Sequence, residues 1–439
     1  MNKVFIDTLG CAKNEYDSQI LKKLLEINGF DMADNPQYAD IFIVNTCGFI
    51  EAAKMESIEH ILEMGKLKNK EKKLIVTGCL SERYKEELLK EFPEVDIMVG
   101  VNEYDNLPDL LRQANDDKLQ KRQFYNDKED SLPYRKRKYN EGSYHEVLKI
   151  AEGCNNSCAF CAIPKIRGKY RSKKMEDVIR EAQDMAESGI KEISIIAQDT
   201  SKYGEDLYGN KALPELLERL AKIPAIKRIR LMYVYDEGIT DDLIDVIKRE
   251  DKICKYIDIP LQHISNEILQ AMGRNSNSDN IRKRIKKLRE EIKNIHIRTT
   301  LMVGFPGETE KDFKMLVEFI KEMKLDRVGC FKYSDEENTI AYNMTDKVNE
   351  DIKDIRYNRL MEAQQEISLE LNNEKIGNTY KVIVDEQLKA GSYIGRTEFD
   401  APEIDNDVIF TSDEVLNPGD FVDVKITDVT EYDLYGEMI

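Results

Sequence analysis

The sequence predicts an α/β protein in three parts: an amino-terminal parallel α/β domain, a central partial barrel of β/α units of the TIM-barrel type, and a small carboxyl-terminal antiparallel β-barrel. Two long stretches alternate apolar strand-like runs with amphipathic helices, which is typical of parallel sheets covered by helices. The last stretch instead has short β-rich runs separated by Gly, Pro, Asn and Asp. A chain of 439 residues suits about two to four domains. We place them at 1–125, 140–372 and 373–439.

Three apolar runs in the first domain predict buried parallel strands, and each run leads to a cysteine beside a glycine. An amphipathic helix follows the first run, with Ile20, Leu21, Leu24 and Leu25 on one face. The runs and their ends are Val4–Thr8 with Gly10 and Cys11, Ile41–Val44 with Cys47 and Gly48, and Leu74–Val76 with Gly78 and Cys79.

The polar segment 116–142 follows the first β/α alternation. It contains the acidic run Asp127–Asp130, interrupted by one lysine, and the basic run Arg135–Lys138. Charge runs of this kind are usually solvated, so we interpret the segment as an exposed linker.

Six strand-like runs predict the β/α units of the central domain. One of its helices opens at Thr309, which forms a predicted capping box with Asp312 ahead of an apolar stripe. Active sites in such sheets lie at the carboxyl ends of the strands. The runs are Glu146–Ala151, Glu192–Ala197, Ile229–Tyr233, Tyr256–Ile259, His296–Val303 and Arg327–Phe331.

The carboxyl-terminal domain is strongly acidic. Residues 376–439 contain 15 Asp and Glu against 4 Lys and Arg, an excess of 11 negative charges out of 18 for the whole chain. We expect five of these acids to be exposed, namely Glu398, Asp400, Glu403, Asp405 and Asp407. The predicted strands of this domain are Tyr380–Val384, Tyr393–Thr397, Val408–Thr411 and Phe421–Ile426.

Composition and charge exclude several classes of protein. Hydrophobic residues make up 41% of the chain and charged residues 34%, which is typical of a globular protein rather than a disordered one. The net charge of −18 disfavours a general nucleic-acid coat, because neutralising phosphates needs positive surface. The sequence contains no run of 18 apolar residues, the length that would predict a membrane span. Its first residues lack the apolar core of a signal peptide. We therefore expect a cytoplasmic protein.

Three cysteines with the spacing Cys-x3-Cys-x2-Cys follow the first strand of the central domain: Cys154, Cys158 and Cys161. Three thiolates so close together point to a compact metal site. Structural zinc takes four ligands, and no fourth Cys or His follows nearby. A four-iron cubane can take three thiolates and leave one iron open. The spacing therefore predicts a 4Fe-4S cluster with a vacant iron.

Cys11, Cys47 and Cys79, in the first domain, form another group and are called the first trio; Cys154, Cys158 and Cys161 are the second trio. Because the carboxyl ends of parallel strands share one edge of a sheet, these three residues should be neighbours in space. Adjacent glycines would allow close approach of the backbone to a bulky cluster. The alternative is three buried structural cysteines. We predict a second three-thiolate cluster, and expect Cys254, Cys330 and the four histidines to be core residues.

The motif from Cys154 to Cys161, with Phe160 before its last cysteine, resembles the signature of the radical S-adenosylmethionine (SAM) superfamily. The resemblance implies that the open iron binds SAM and that the chemistry begins with a 5′-deoxyadenosyl radical. The segment Ser188–Glu192 looks like the segment of the superfamily that binds the methionine part of SAM, through Gly189 and Glu192. The alternative is a plain turn between helix and strand.

Over essentially the whole chain, two three-cysteine sites and a terminal β-barrel resemble the methylthiotransferases, whose terminal barrel is a TRAM domain. The resemblance implies two 4Fe-4S clusters and two uses of SAM, as methyl donor and as radical source. Finer motifs are similar to the RimO branch, with one departure at Gln19. They are Leu9–Asn14, Asp17–Ser18, Ile163–Ser172, Ala197–Thr200, Tyr233–Tyr235, Ile259–His263, Gly329–Ser334 and Ala401–Asp405.

The RimO resemblance implies methylthiolation of the β-carbon of an aspartate in the twelfth small-subunit ribosomal protein, free or in the assembled small subunit. It also implies a low-potential electron donor of the flavodoxin or ferredoxin type. A tRNA adenosine methylthiotransferase (MiaB-like) and a non-catalytic iron–sulfur carrier are the alternatives. The acidic barrel would repel RNA and attract a basic ribosomal protein, so we expect a protein substrate rather than direct binding of tRNA.

Overall fold

The computed structural model describes residues 3–115, 121–126 and 132–439. Within this part of the chain, no helix is both long and apolar enough to cross a membrane. The run Asp127–Asp130 lies outside the described residues, so its predicted place in a solvated linker stays a prediction, as do the domain boundaries.

The first sheet has six parallel strands in the order β2-β1-β3-β4-β5-β6. Its central strand β3 is buried along its whole length, as the continuous apolar run predicts. Apolar clusters cover both faces. The strands are β1 Lys3–Thr8, β2 Asp31–Met32, β3 Ile41–Thr46, β4 Lys73–Gly78, β5 Ile97–Val99 and β6 Gln123–Phe124, and the helices are α1 Ala12–Ile27, α2 Glu51–Leu67, α3 Cys79–Glu91 and α4 Leu107–Asn115.

The central sheet is an open, curved half of a barrel with six parallel strands in the order β14-β13-β12-β11-β10-β7, and a short antiparallel pair, β8 with β9. The strands are β7 His145–Lys149, β8 Ala151–Glu152, β9 Arg171–Ser172, β10 Glu192–Ile196, β11 Arg228–Leu231, β12 Ile253–Gln262, β13 His296–Val303 and β14 Arg327–Lys332.

Nine helices occur among the described residues of this middle region, and they pack an extensive apolar core against the sheet. The predicted capping box is present, since Thr309 and Asp312 cap the first turn of α12 reciprocally. The helices are α5 Ile163–Arg167, α6 Met175–Glu187, α7 Glu205–Tyr208, α8 Leu213–Ala221, α9 Asp241–Arg249, α10 Asn266–Ala271, α11 Ser278–Glu291, α12 Glu310–Met323 and α13 Glu350–Asn373.

The carboxyl-terminal strands form a closed five-stranded barrel in the order β15-β16-β17-β19-β18. The predicted antiparallel barrel needs one correction, because β17 pairs with β19 in parallel. The sequence analysis also missed β19, which closes the barrel. The strands are β15 Thr379–Lys389, β16 Ser392–Arg396, β17 Val408–Thr411, β18 Phe421–Val429 and β19 Leu434–Met438.

The loop between β16 and β17 attaches this barrel to the amino ends of the central strands. Asp400 pairs with Arg327 at 2.7 Å, and Asp405 accepts a hydrogen bond from Tyr256 at 2.7 Å. Burial raises the pKa of Asp400, but Arg327 and a neighbouring lysine outweigh it and lower that pKa to about 2. The prediction that Asp400 and Asp405 are exposed charges is therefore wrong, and both hold the barrel in place. Glu398 and Asp407 are half-buried, so only Glu403 of the five acids is exposed as predicted.

The basic half of the predicted linker is also partly buried. The Arg137 side chain is 0% exposed and lies between α1 and α6, where its Nε is 2.9 Å from Glu181. It also donates to Gln19 of the first domain at 2.8 Å. A buried guanidinium must be paired, so this residue belongs to an interface rather than to a solvated linker.

Candidate functional site

The first cysteine trio lies at one edge of the first sheet. Cys11 follows β1, Cys47 follows β3, and Cys79 is the first residue of α3, directly after β4. These strands are parallel neighbours in the sheet. Cys47 and Cys79 are buried while Cys11 is exposed. The predicted meeting of three distant cysteines at one edge follows directly from this pairing.

Glycine and asparagine hold the three loops close together. A Cβ on Gly10 would lie 2.6 Å from the Cβ of Cys47, so only glycine fits there. Asn14 donates to the carbonyls of Leu9 at 2.8 Å and Thr46 at 2.9 Å, which ties the first loop to the second. These protein contacts fix the position of the first loop relative to the second.

The second trio lies in the loop that follows β8. Backbone amides point at two of its sulfurs: Asn156 N is 3.4 Å from the Sγ of Cys154, and Ile163 N is 3.4 Å from the Sγ of Cys161. Arg274 lies 3.9 Å from the Sγ of Cys158. Donors of this kind stabilise negative charge on sulfur.

The two trios face each other through α5, the short helix after Cys161. Cys79 packs against Ala162 and Ile166 of this segment. Arg167, at the end of α5, donates to the Sγ of Cys79 at 3.2 Å. The loop that carries one trio thus touches a cysteine of the other.

Arg167 belongs to a buried charged network between the two domains. Its guanidinium also contacts Asn14 at 2.8 Å and Asp17 at 2.6 Å. Lys149 at the end of β7 is 2.6 Å from Asp17 and 2.7 Å from Glu152. Burial raises the pKa of the Glu152 carboxyl, but the positive charges of Lys149 and Arg167 have the larger effect. The pKa of this carboxyl therefore lies well below its usual range.

Burial opposes ionisation of cysteines in both trios. Burial raises the pKa of Cys79 to about 11 and that of Cys161 to about 12, so neither ionises readily alone. Metal binding removes that penalty. No three His, Cys, Asp or Glu side chains of the described residues converge closely enough on a single metal ion. By its chemistry, a set of three thiols suits a cubane, which can take three thiolates at separate irons, better than structural zinc, which takes four ligands.

The residues predicted to contact SAM have different outcomes. Phe160 lies in the second cysteine loop, with its ring 6.5 Å from that of Phe305, and its role stays a prediction. Glu192 instead begins β10, level with His145 at the amino end of β7, whereas the cysteines follow the carboxyl end. It is fully buried and lies 3.0 Å from both Arg230 and Arg396.

Gly189 turns the chain at the same amino end, with φ of +92°. The placement of Gly189 and Glu192 corrects the predicted SAM contact: Gly189 makes a turn, and Glu192 anchors the terminal barrel. Cys254 and Cys330 are buried in the core as predicted. Of the histidines, His263 and His296 are buried as predicted, His145 is only partly buried, and His60 lies near the surface beside Asp7 at 2.7 Å.

Comparison with known proteins decides the family. Residues 3–100 match the "Uncharacterized protein family UPF0004", residues 148–320 the "Radical SAM superfamily" and residues 376–439 the "TRAM domain". The chain is 48% identical over 445 residues to "Ribosomal protein uS12 methylthiotransferase RimO" of Clostridioides difficile strain 630, covering 100% of this chain and 99% of the relative. The chain belongs to the RimO family.

A RimO protein of Clostridium tetani is 46% identical and covers 99% of this chain and 97% of its own. Among solved structures, the radical SAM methyltransferase TsrM of Kitasatospora setae is similar in fold, with a TM-score of 0.58 at 13% identity, over 75% of this chain and 73% of its own. The cobalamin-dependent radical SAM enzyme OxsB gives a TM-score of 0.53 at 11% identity, over 83% of this chain and 56% of its own.

Sequence reasoning did not assign the polar residues that connect the two trios in this RimO-family chain. Asn14, Asp17 and Arg167 all lie in motifs that resemble the family, but their mutual contacts join segments about 150 positions apart. Glu152 had a weaker signal, as a carboxylate two residues before a cysteine. For all four residues, the available clue was a position beside a cysteine motif.

Proposed function

We propose that this chain methylthiolates the β-carbon of an aspartate in ribosomal protein uS12, the twelfth protein of the small subunit. The observation that carries the proposal is the pair of cysteine trios that face each other across Arg167 at the carboxyl edges of two sheets. Full-length similarity to RimO proteins and the acidic barrel support a protein substrate rather than tRNA.

Each trio would hold one 4Fe-4S cluster. Cys154, Cys158 and Cys161 would bind the cluster whose open iron takes SAM. Cys11, Cys47 and Cys79 would bind a second cluster. When bound, these groups supply the radical that removes hydrogen from the substrate and the sulfur and methyl group that replace it.

The protein's own part is to place these groups relative to each other. Arg167 contacts both Asn14 and Cys79, and so holds the first trio against the loop that carries the second trio. Asn156 in that loop donates to Asp199 after β10 at 2.9 Å, which fixes the loop against the next strand. Such preorganisation matters because a radical must form within reach of its target carbon.

The partners follow from the same chemistry. The substrate is uS12, free or in the assembled small subunit, and a flavodoxin- or ferredoxin-type protein supplies electrons. Thiolate-bound clusters need a reducing compartment, which supports the cytoplasm as the location.

Two clusters predict the iron content. Anaerobically reconstituted protein should bind about eight irons, and replacement of Cys154, Cys158 and Cys161 with alanine should leave about four. Incubation of the unmodified enzyme with uS12, SAM and a reductant should give uS12 that carries one methylthio group, detected by mass spectrometry. A carrier protein would release no 5′-deoxyadenosine in this assay. Loss of all iron from a folded triple variant would contradict independent clusters.

The acidic barrel should speed the capture of uS12 through charges that are truly exposed. Because Asp400 and Asp405 are buried, the test must use other acids. Reversal to lysine should weaken capture of uS12 at low salt, and the difference should shrink as salt rises, since exposed charges act over about 10 Å at 0.1 M salt. The five exposed acids to reverse are Glu386, Asp413, Glu414, Asp428 and Glu437.

A control with the same change of net charge separates the barrel from overall electrostatics. It reverses five exposed acids of the first domain: Glu59, Glu63, Glu71, Glu86 and Glu87. The measurement is the association rate with labelled uS12 as a function of salt. Equal losses in both variants would show that the barrel has no special part in recruitment.

A further inference from the structure

Lys13 occupies a position between the two cysteine trios that the proposed chemistry has not used. It lies two residues after Cys11, in the first turn of α1. Its ammonium nitrogen is 3.8 Å from the centroid of the Tyr233 ring. Tyr233 follows β11 at the carboxyl edge of the central sheet. Lys13 therefore extends from the first domain to the edge where the second trio lies.

Among the described residues, the ammonium of Lys13 has no counter-charge. No carboxylate of the described residues lies within 4.0 Å of it, although the side chain is half-buried. Lys149, another cation near this edge, is paired with Asp17 at 2.6 Å. An aromatic face alone is a weak partner for a half-buried cation, so an anion supplied from outside would complete the site.

The backbone of Tyr233 supports a functional role for this position. Its φ of +58° is in the left-handed region, which a bulky residue rarely adopts. Two contacts hold it there: the amide donates to Asp258 at 3.0 Å, and the carbonyl accepts from the amide of Thr200 at 3.0 Å. Strain of this kind persists where the surroundings enforce it, and it collects at functional sites. Here it places the ring under Lys13.

We propose that Lys13 binds the side-chain carboxylate of the aspartate that is methylthiolated; this inference rests on the proposed function. The β-carbon of an aspartate is bonded directly to its carboxylate carbon. A cation that holds the carboxylate must therefore lie next to the sulfur source and also face the SAM side. Lys13 meets both conditions through its nearness to Cys11 and to Tyr233.

The proposal predicts that Lys13 gives the enzyme its preference for aspartate over asparagine. A charge-assisted hydrogen bond to a carboxylate is much stronger than one to an amide. The reconstituted enzyme should bind uS12 with its target aspartate about 10- to 100-fold more tightly than uS12 with asparagine at that site. K13M should bind both forms alike, and K13R should recover part of the preference.

The measurement is the dissociation constant of each uS12 form, from fluorescence anisotropy, together with KM and kcat for the aspartate form. Lys23 also lies on α1, is paired with Glu26 at 3.5 Å, and provides the control variant K23M, which should keep the full preference. A K13M enzyme that still prefers aspartate would overturn the proposal while the proposed function stands. Failure of the unmodified enzyme to methylthiolate uS12 would overturn both.

Discussion

Replacement of Cys47 with alanine is expected to abolish methylthiolated uS12 while SAM is still cleaved reductively. Cys47 belongs to the trio on the first sheet, whereas the loop from Cys154 to Cys161 belongs to the central domain. Loss of one of three thiolates should empty the second cluster site and leave the SAM-binding cluster in place. The product should fall by more than about 100-fold, because even indirect contacts to metal ligands contribute 10- to 100-fold.

Two measurements check this result on the same anaerobic sample: methylthiolated uS12 by mass spectrometry and 5′-deoxyadenosine by chromatography. Iron should fall from about eight to about four atoms per chain. Cys330→Ala is the matched control, since Cys330 is a buried cysteine of the central core outside both trios. Normal product from the Cys47 variant would mean that the first sheet is not the sulfur site.

Replacement of Arg167 with methionine is expected to destabilise the fold and to weaken binding of the cluster at Cys11, Cys47 and Cys79. The change removes a buried guanidinium that contacts Asp17 at 2.6 Å, Asn14 at 2.8 Å and Cys79 at 3.2 Å. Breaking a buried ion pair by removal of one partner costs about 3–5 kcal/mol, because the remaining charge stays buried. Lys149 still pairs with Asp17, so we expect the lower end of this range.

Chemical unfolding of the apoprotein measures the loss of stability, and iron retained after gel filtration measures the hold on the cluster. Arg167→Lys keeps the charge but cannot make the three contacts together, so it should fall between methionine and the unmodified chain. Arg249→Met is the control: its side chain is 47% exposed and pairs with surface acids, so its loss should change stability by less than about 0.5 kcal/mol. Equal effects of the two methionine variants would show that Arg167 has no special role in stabilising the interface.

At the end of the molecule where the terminal barrel attaches, several acids are part of the domain interface and are unsuitable for charge reversal. Glu192, Asp400 and Asp405 are all buried where the terminal barrel meets the amino ends of the central strands. Burial raises the pKa of Glu192, but three arginines outweigh it and keep the carboxyl ionised. Reversal of any of these acids should destabilise this interface, so electrostatic recruitment must be tested on the exposed acids of the barrel.

The sequence by itself determined the features that depend on local pattern. Apolar runs predicted all six strands of the central sheet but only β1, β3 and β4 of the first sheet, and the short strands β2, β5 and β6 were missed. The cysteines at the strand ends predicted two trios at sheet edges. The capping box of Thr309 and Asp312 was also readable, because its hydrogen bonds span three residues. In each case the determining interaction lies within a few positions or follows from the rule that parallel strands end at one edge.

Only the tertiary structure decided which distant side chains meet. It placed Arg167 on Cys79, moved Glu192 to the end of the sheet away from the cysteines, and buried Asp400 beneath the barrel. It also paired β17 in parallel with β19. Nothing in local periodicity encodes such contacts, because they form when separate domains pack. The charge of a residue is visible in the sequence, but its partner, and hence its role, is set by the fold.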